Sequence, residues 1–296
     1  MRLDADRDLR AFLGELEADS TLLELSQLQR RIEVLDDLDA MFGGMASDAF
    51  GGGVDPAWMH HHANELRARL EGVNSALYQS IRLEIRHGID PRALLRWIET
   101  PASDGESDSP VPGLSYDFRD ELVSGILQLR EPSRAEVHQR PEMVFYQPTP
   151  VRHILHLIAA SALSESDVLV DLGAGLGHVV LLVSMLTGAR GVGIEVESAY
   201  VRSARASARS LGLSRVTFLQ QDAREADLSS GSVFYLYSPF TGTILTDVLE
   251  RLRREGAARP IRICALGPCT LDMAKEHWLK ASKPPDMERI TVFESR

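Results

Sequence analysis

The apolar positions along the chain fall into two regimes. Over residues 8–40, Leu9, Phe12, Leu13, Leu16, Leu23, Leu28, Ile32 and Leu35 recur near helical spacing, which predicts one long amphipathic helix. MFGGMASDAFGGG (41–53) then breaks the pattern with five glycines in thirteen residues. Asp55 and Pro56 form an N-cap and first-turn pair, so a second helix is expected from there to about Arg86, stopped by His87-Gly88. Pro91 opens a shorter helix through Trp97. TPASDGESDSPVPG (100–113) is polar, rich in Pro, Ser and Gly, and reads as a linker. A helix at about 116–130 leads into EPSRAEVHQRPEMVFYQPTP, where four prolines prevent any long element, and a helix at about 150–162 follows.

Beyond that helix the period changes. Short β-rich runs alternate with helical ones: DVLVDLG, LGHVVLLVSMLTG, RGVGIEV, SAYVRSARASARSLG, RVTFLQQD, SVFYLYS, TILTDVLERLRRE, PIRICALG and ERITVFES. Strand–helix alternation at this spacing predicts a parallel sheet covered by helices on both faces. The expected architecture is therefore an α/β doubly wound domain over 151–296. It is preceded by a helical accessory domain (1–99), the linker (100–113), and a helix with a covering loop (114–150).

Charge follows the same division. Acidic residues outnumber basic ones 21 to 11 in residues 1–110 and 6 to 4 in 111–150, whereas 151–296 hold 16 and 17; the formal total is −11. A chain so charged makes duplex DNA a poor partner. Its 29 arginines against three lysines match the usage of a GC-rich bacterial genome. No apolar run reaches membrane-spanning length, and the N-terminus MRLDADRDLR has no secretory h-region, so a cytoplasmic protein is expected. Two cysteines, Cys264 and Cys269, cannot build a disulfide framework.

The most informative segment is Val168-Leu169-Val170-Asp171-Leu172-Gly173-Ala174-Gly175-Leu176-Gly177, joining the first strand to the first helix. Doubly wound folds bind ligands at that turn, where glycines allow close backbone approach. The dinucleotide fingerprint wants a small residue where His178 stands, and the Gly-Lys-Ser/Thr of a phosphate loop is absent. Glu195 closes the second strand, where an acid can accept from both hydroxyls of a ribose. Asp222, in Gln220-Gln221-Asp222-Ala223 after the third strand, can accept from an adenine amino group. Asp171 would repel a phosphate. Ribose, adenine and a cationic centre without phosphate describe S-adenosyl-L-methionine.

On VDLGAGLG, Glu195 and QDA, residues 140–296 resemble a class I S-adenosylmethionine-dependent methyltransferase. A narrower similarity is to the non-SET histone-lysine methyltransferases of the disruptor-of-telomeric-silencing type and to related bacterial protein-lysine methyltransferases. Those enzymes carry a Tyr-x-x-Thr loop before the glycine motif, matched here by Tyr146-Gln147-Pro148-Thr149, and a Val-Val-Leu-rich helix after it, matched by GHVVLLVSMLTG. Their Asn-Asn-Phe-Ala-Phe-Gly-like segment becomes Tyr237-Ser238-Pro239-Phe240-Thr241-Gly242, with Ser-Pro in place of the asparagine and its neighbour.

The resemblance implies a methyltransferase acting on a nitrogen such as a protein lysine. Its cofactor contacts would be Tyr146, Thr149, Asp171, Gly173, Gly175, Gly177, Glu195, Asp222, Ala223 and Ser238, and Tyr146, Tyr237 and Phe240 would flank the reacting groups. Phe145 joins them as an aromatic wall that would keep an amine neutral. Thr149 could bind the methionine carboxylate, N-cap the 150–162 helix, or do both. Ser238 and Pro239 would shape the acceptor floor. Two other readings stand beside this one: a small-molecule methyltransferase roofed by the N-terminal helices, and a noncatalytic S-adenosylmethionine-binding scaffold.

The remaining chemistry-bearing residues read as structure. His60, His61 and His62 point about 100° apart on a helix and cannot share a metal ion. Cys264 lies in a strand and is expected in the core, with Cys269 exposed near the site edge. Arg202, Arg205 and Arg209 recur at helical spacing and form a basic stripe, a solvated face or a partner contact. The amphipathic helices 8–40 and 55–86 need apolar partners, either each other or a second copy in a homodimer.

Overall fold

The computed structural model describes residues 2–42, 56–88, 92–98, 115–133 and 142–296. The chain divides into two compact units, residues 1–81 and 82–296. Asp55, the glycine-rich stretch and the 100–113 segment lie outside the described residues.

The first unit contains α1 (Arg2–Ala18), α2 (Leu28–Phe42) and most of α3 (Pro56–Arg86), which begins at the expected proline. The single helix expected over 8–40 is broken: two 3₁₀ turns, Ser20–Leu23 and Leu25–Gln27, separate α1 from α2. Asp19 is the cause. Its carboxylate accepts from the Thr21 amide at 3.0 Å and the Thr21 hydroxyl at 2.6 Å, a local alternative to the helical ladder. The fully buried Arg31 takes up the carbonyls freed by the break, donating to those of Leu22 and Glu24, and bonds Asn74 Oδ1 at 2.7 Å. Leu13, Leu22, Leu38, Met59 and Leu70 close the apolar stripes into one core.

The second unit opens with α4 (Arg92–Ile98), α5 (Phe118–Leu127) and α6 (Val151–Ser161). Helix α5 is shorter than the 116–130 expected, because an Asp117/Asp120 capping box starts it and left-handed Gln128 (φ 49°) ends it. The α/β part follows: β1 (Val168–Leu172), α7 (His178–Thr187), β2 (Arg190–Glu195), α8 (Ser198–Ser210), β3 (Val216–Gln220), β4 (Val233–Tyr237), α9 (Gly242–Ala258), β5 (Arg262–Leu266), α10 (Cys269–Met273), β6 (Leu279–Ala281) and β7 (Thr291–Ser295).

The seven strands lie in the order β3-β2-β1-β4-β5-β7-β6. Strands β1 to β5 are parallel, but β7 runs antiparallel between β5 and β6, so the sheet is not the wholly parallel one expected. Central β1 (VLVDL) is buried at every residue and β4 (VFYLY) at four of five, as parallel strands covered on both faces require. The chain order reverses between β1 and β4. A reversal of this kind in a doubly wound sheet leaves a crevice at the C-terminal strand ends.

Candidate active site

A cavity of about 870 Å3 occupies that crevice, within the 300–1,000 Å3 or so typical of small-molecule pockets. It is lined by the ends of β1 (Asp171), β2 (Glu195) and β4 (Tyr237), by residues 142–147 and Thr149, and by Gln221-Asp222-Ala223-Arg224.

The glycine loop meets it with its amides already engaged. Gly173 and Ala174 both donate to the Ile194 carbonyl (2.9 and 3.0 Å), Gly175 to Glu195 Oε2 (2.9 Å) and Gly177 to the Ala174 carbonyl (2.8 Å). The Leu176 amide is directed at the Tyr146 hydroxyl. A phosphate cradle works through free amides at such a turn, and this turn keeps none for a ligand. Only glycine fits two of its positions. At Gly173 (φ +87°) a Cβ would stand 2.3 Å from Pro239 Cβ, and at Gly175 (φ +52°) one would stand 2.1 Å from the Tyr146 ring. Gly173 lines the cavity, whereas Gly175 is covered by Tyr146 and Gly177 backs onto Phe218 and Ala204.

Two buried carboxyls converge beside the loop. Both oxygens of Glu195 accept backbone amides, from Gly175 and from Glu197 (2.8 Å); burial pushes its pKa up while these bonds pull it back. Asp171 is 3% exposed, and no described residue donates a hydrogen bond to it. Burial, then the neighbouring Glu195, pushes its pKa up to about 8. An unpartnered buried carboxyl fits a ligand that brings a cation, such as the ammonium of S-adenosylmethionine. Across the cavity, Asp222 is forked by Arg224 (2.9 and 3.1 Å), so an adenine amino group would share that carboxylate with an arginine. Ala223 lines the cavity next to it.

The aromatic side chains fall into two sets. Tyr146 is half-buried; its hydroxyl lies 2.9 Å from His178 Nδ1 and its ring 5.0 Å from that of Tyr200. His178 is half-buried too, and desolvation of its ring pushes its pKa down to about 4 and leaves it neutral at pH 7. Phe145, by contrast, is 79% exposed on the cavity rim. Tyr237 lines the cavity with a buried hydroxyl that has no partner among the described residues, and burial pushes its pKa up to about 12. Phe240 is buried between cavity and core. The loop carrying Phe145 is fixed to the segment after β4: Val144 donates to the Pro239 carbonyl (3.1 Å) and Thr241 to that of Glu142 (2.9 Å).

Two expectations need correction. Thr149 lines the cavity but does not cap α6; its hydroxyl pairs with that of Tyr235 at 2.9 Å, and Asp120 of α5 accepts the Val151 amide instead. Ser238 lines the cavity, with its hydroxyl donating to the Leu266 carbonyl and accepting from the Cys269 amide. Cys269 is buried beside it, not exposed. The sequence reading passed over His178, Glu197, Tyr200 and Tyr235, all of which line the cavity. Tyr235 was within reach, since it lies two residues before Tyr237 on the same face of β4.

His61 is exposed, while His60 and His62 are half-buried; His62 bonds Glu17 at 2.8 Å and its ring centroid stands 4.0 Å from that of Trp58. No group of three or more His, Cys, Asp or Glu suited to a metal occurs among the described residues. Cys264 is buried in β5. Arg202, Arg205 and Arg209 are exposed on α8, with Arg205 tied to the Phe218 carbonyl. No helix among the described residues is long and apolar enough to cross a membrane.

Residues 163–238 match the family model described as a methyltransferase domain. A protein-lysine N-methyltransferase of Saccharolobus islandicus (strain REY15A) is 26% identical over 110 residues, 36% of this chain. The chain thus spans 65% of the length of that curated relative. An RNA methyltransferase from Salinibacter ruber, solved with S-adenosyl-L-homocysteine, is 30% identical over 50% of this chain and 92% of its own, with a TM-score of 0.41. An S-adenosylmethionine-dependent methyltransferase from Geobacter sulfurreducens, also solved with S-adenosyl-L-homocysteine, is 26% identical over 38% of this chain and 47% of its own, with a TM-score of 0.33.

Proposed function

We propose that this chain, a methyltransferase that uses S-adenosyl-L-methionine, delivers its methyl group to a nitrogen, the side-chain amine of a lysine in a protein. The observation that carries this reading is the sign of the cavity. Glu142, Asp171, Glu195, Glu197 and Asp222 line it, and Arg224 is the one arginine or lysine among the lining residues. Such a lining attracts a group that arrives as a cation. The protein-lysine N-methyltransferase among the relatives supports the same acceptor.

The cofactor supplies an electrophilic methyl on a sulfonium, and the chain's residues position and desolvate. Asp171 takes the cofactor's ammonium, Glu195 its ribose hydroxyls, and Ala223 with Asp222 the adenine end. Gly173, Gly175 and Gly177 hold the turn shape, and Thr149 and Ser238 brace the site through Tyr235 and Leu266. Tyr146, Tyr237 and Phe240 wall the reacting centre. In that apolar surround a lysine would pass its proton to solvent and present a neutral nitrogen to the methyl group that the cofactor would supply. The orphan Tyr237 hydroxyl is the acceptor-side group that can take an amine N–H.

Tritium-labelled methyl transfer into a bacterial lysate, afterwards separated into protein, RNA and small-molecule fractions, tests the proposal. Label in protein that hydrolyses to methyl-lysine is expected. Counts confined to RNA or to small molecules would overturn the lysine acceptor.

A further inference from the structure

Tyr146 is held from three directions, and only one hold is made by a side chain able to form a strong hydrogen bond. Its ring fills the space above Gly175, where a Cβ would stand 2.1 Å away, and leans on Tyr200. Its hydroxyl sits 2.9 Å from His178 Nδ1. His178 is the first residue of α7, directly after the glycine loop, so its backbone is fixed by the same turn that fixes the loop. Both partners line the cavity.

We infer that His178 is a positioning residue: it accepts the Tyr146 hydroxyl proton at Nδ1 and clamps that ring onto the glycine turn, fixing one wall of the cofactor cavity. The inference rests on the reading of the cavity as a cofactor site and is independent of which acceptor is methylated. Burial keeps the ring neutral, so Nδ1 can accept while Nε2 carries the proton. Tyr146 is then committed as a donor to His178 and serves as a wall, not as a general base. The turn's own amides are engaged within the protein, which leaves the clamped ring as the loop's main apolar face toward a ligand.

A mutant cycle on S-adenosylhomocysteine binding, read by calorimetry, tests the clamp. His178→Leu removes the acceptor of the Tyr146 hydroxyl proton, while the Leu176 amide still faces the oxygen, a loss that corresponds to about tenfold weaker binding. Tyr146→Phe should weaken binding to a similar degree, and the double variant should be no weaker than either single one. His178→Gln, which keeps an acceptor, should recover most of the affinity. Losses that add in the double variant, or wild-type affinity in folded His178→Leu or in Tyr146→Phe, would overturn the clamp. If His178→Leu fails to fold, Tyr146→Phe and His178→Gln still decide. Wild-type protein that binds no S-adenosylhomocysteine would instead sink the cofactor reading beneath the clamp.

Discussion

Asp171 combines two properties that rarely coexist in a resting protein: it is almost fully buried, and no described residue donates to its carboxyl. With a folded pKa near 8 against 3.8 unfolded, it holds a proton in the native state over the whole interval between those values. The folded chain therefore binds more protons there, and this carboxyl's contribution to stability falls as pH rises from about 4 through about 8. Thermal midpoints of the ligand-free protein should decline over that window more steeply than those of Asp171→Asn; parallel curves would contradict the assignment. A cationic ligand reverses the preference, because the ionised carboxylate becomes the favoured form. Binding at pH 7 should expel close to one proton (~0.9) from this site. Calorimetry in phosphate and in Tris reads this as a difference in apparent enthalpy that Asp171→Asn abolishes. The exposed neighbour on the rim makes a separate prediction. Phe145→Ser should raise the KM for a protein acceptor about tenfold, since a buried Phe contributes about 1.5–3 kcal/mol, while cofactor affinity stays unchanged.

Among the elements, α6 shows what a linear reading can and cannot reach. Its existence and length were legible from the apolar spacing in VRHILHLIAAS, but the group that starts it was not. Thr149 is the natural local candidate, and it turns instead to Tyr235 on β4, while Asp120 crosses from α5 to take the Val151 amide at 2.8 Å. Asp120 also accepts the Asp117 amide within its own capping box, so one carboxylate starts two helices. Asp120→Ala should cost about 1–2 kcal/mol, read as a lower denaturation midpoint, and Asp120→Asn should return part of it. Wild-type stability in Asp120→Ala would remove the shared cap. The same contrast runs through the whole fold. Strands β1 to β5 and the glycine turn announced themselves because local pattern and tertiary role coincide there. The break at Asp19 came from a side chain winning a local hydrogen bond, and β6 is three residues long, too short to carry a period. The site followed the same rule. Asp171, Glu195 and Ala223 were readable from strand ends, whereas His178 and Tyr200 enter only because folding sets them around Tyr146.

For the molecule as a whole, the surplus of acid belongs to residues 1–110, while residues 151–296 are near neutral, so the negative cavity is a local construction and not a consequence of net charge. The helices that carry much of that acid also bear on assembly. Their apolar stripes gave two possible partners, each other or a second copy, and the packing of the first unit supports the first: Leu13, Leu22, Leu38, Met59 and Leu70 are at most 2% exposed within one core. Among its described residues the large apolar side chain left well exposed is Leu25, at 48%. A stable dimer buries roughly 1,200–2,000 Å2 around an apolar centre, which Leu25 and, farther along α3, Leu83 (53% exposed) cannot supply between them. The chain should therefore elute as a monomer of 32.7 kDa by light-scattering chromatography. It should do so irrespective of concentration across the micromolar range. A mass of twice that value, falling on dilution, would show that a second copy uses surface other than these stripes. In that event Leu25→Asp and Leu83→Asp are the discriminating variants, since each leaves the buried core intact and charges a large apolar side chain that these segments expose among the described residues, at 48% and 53%.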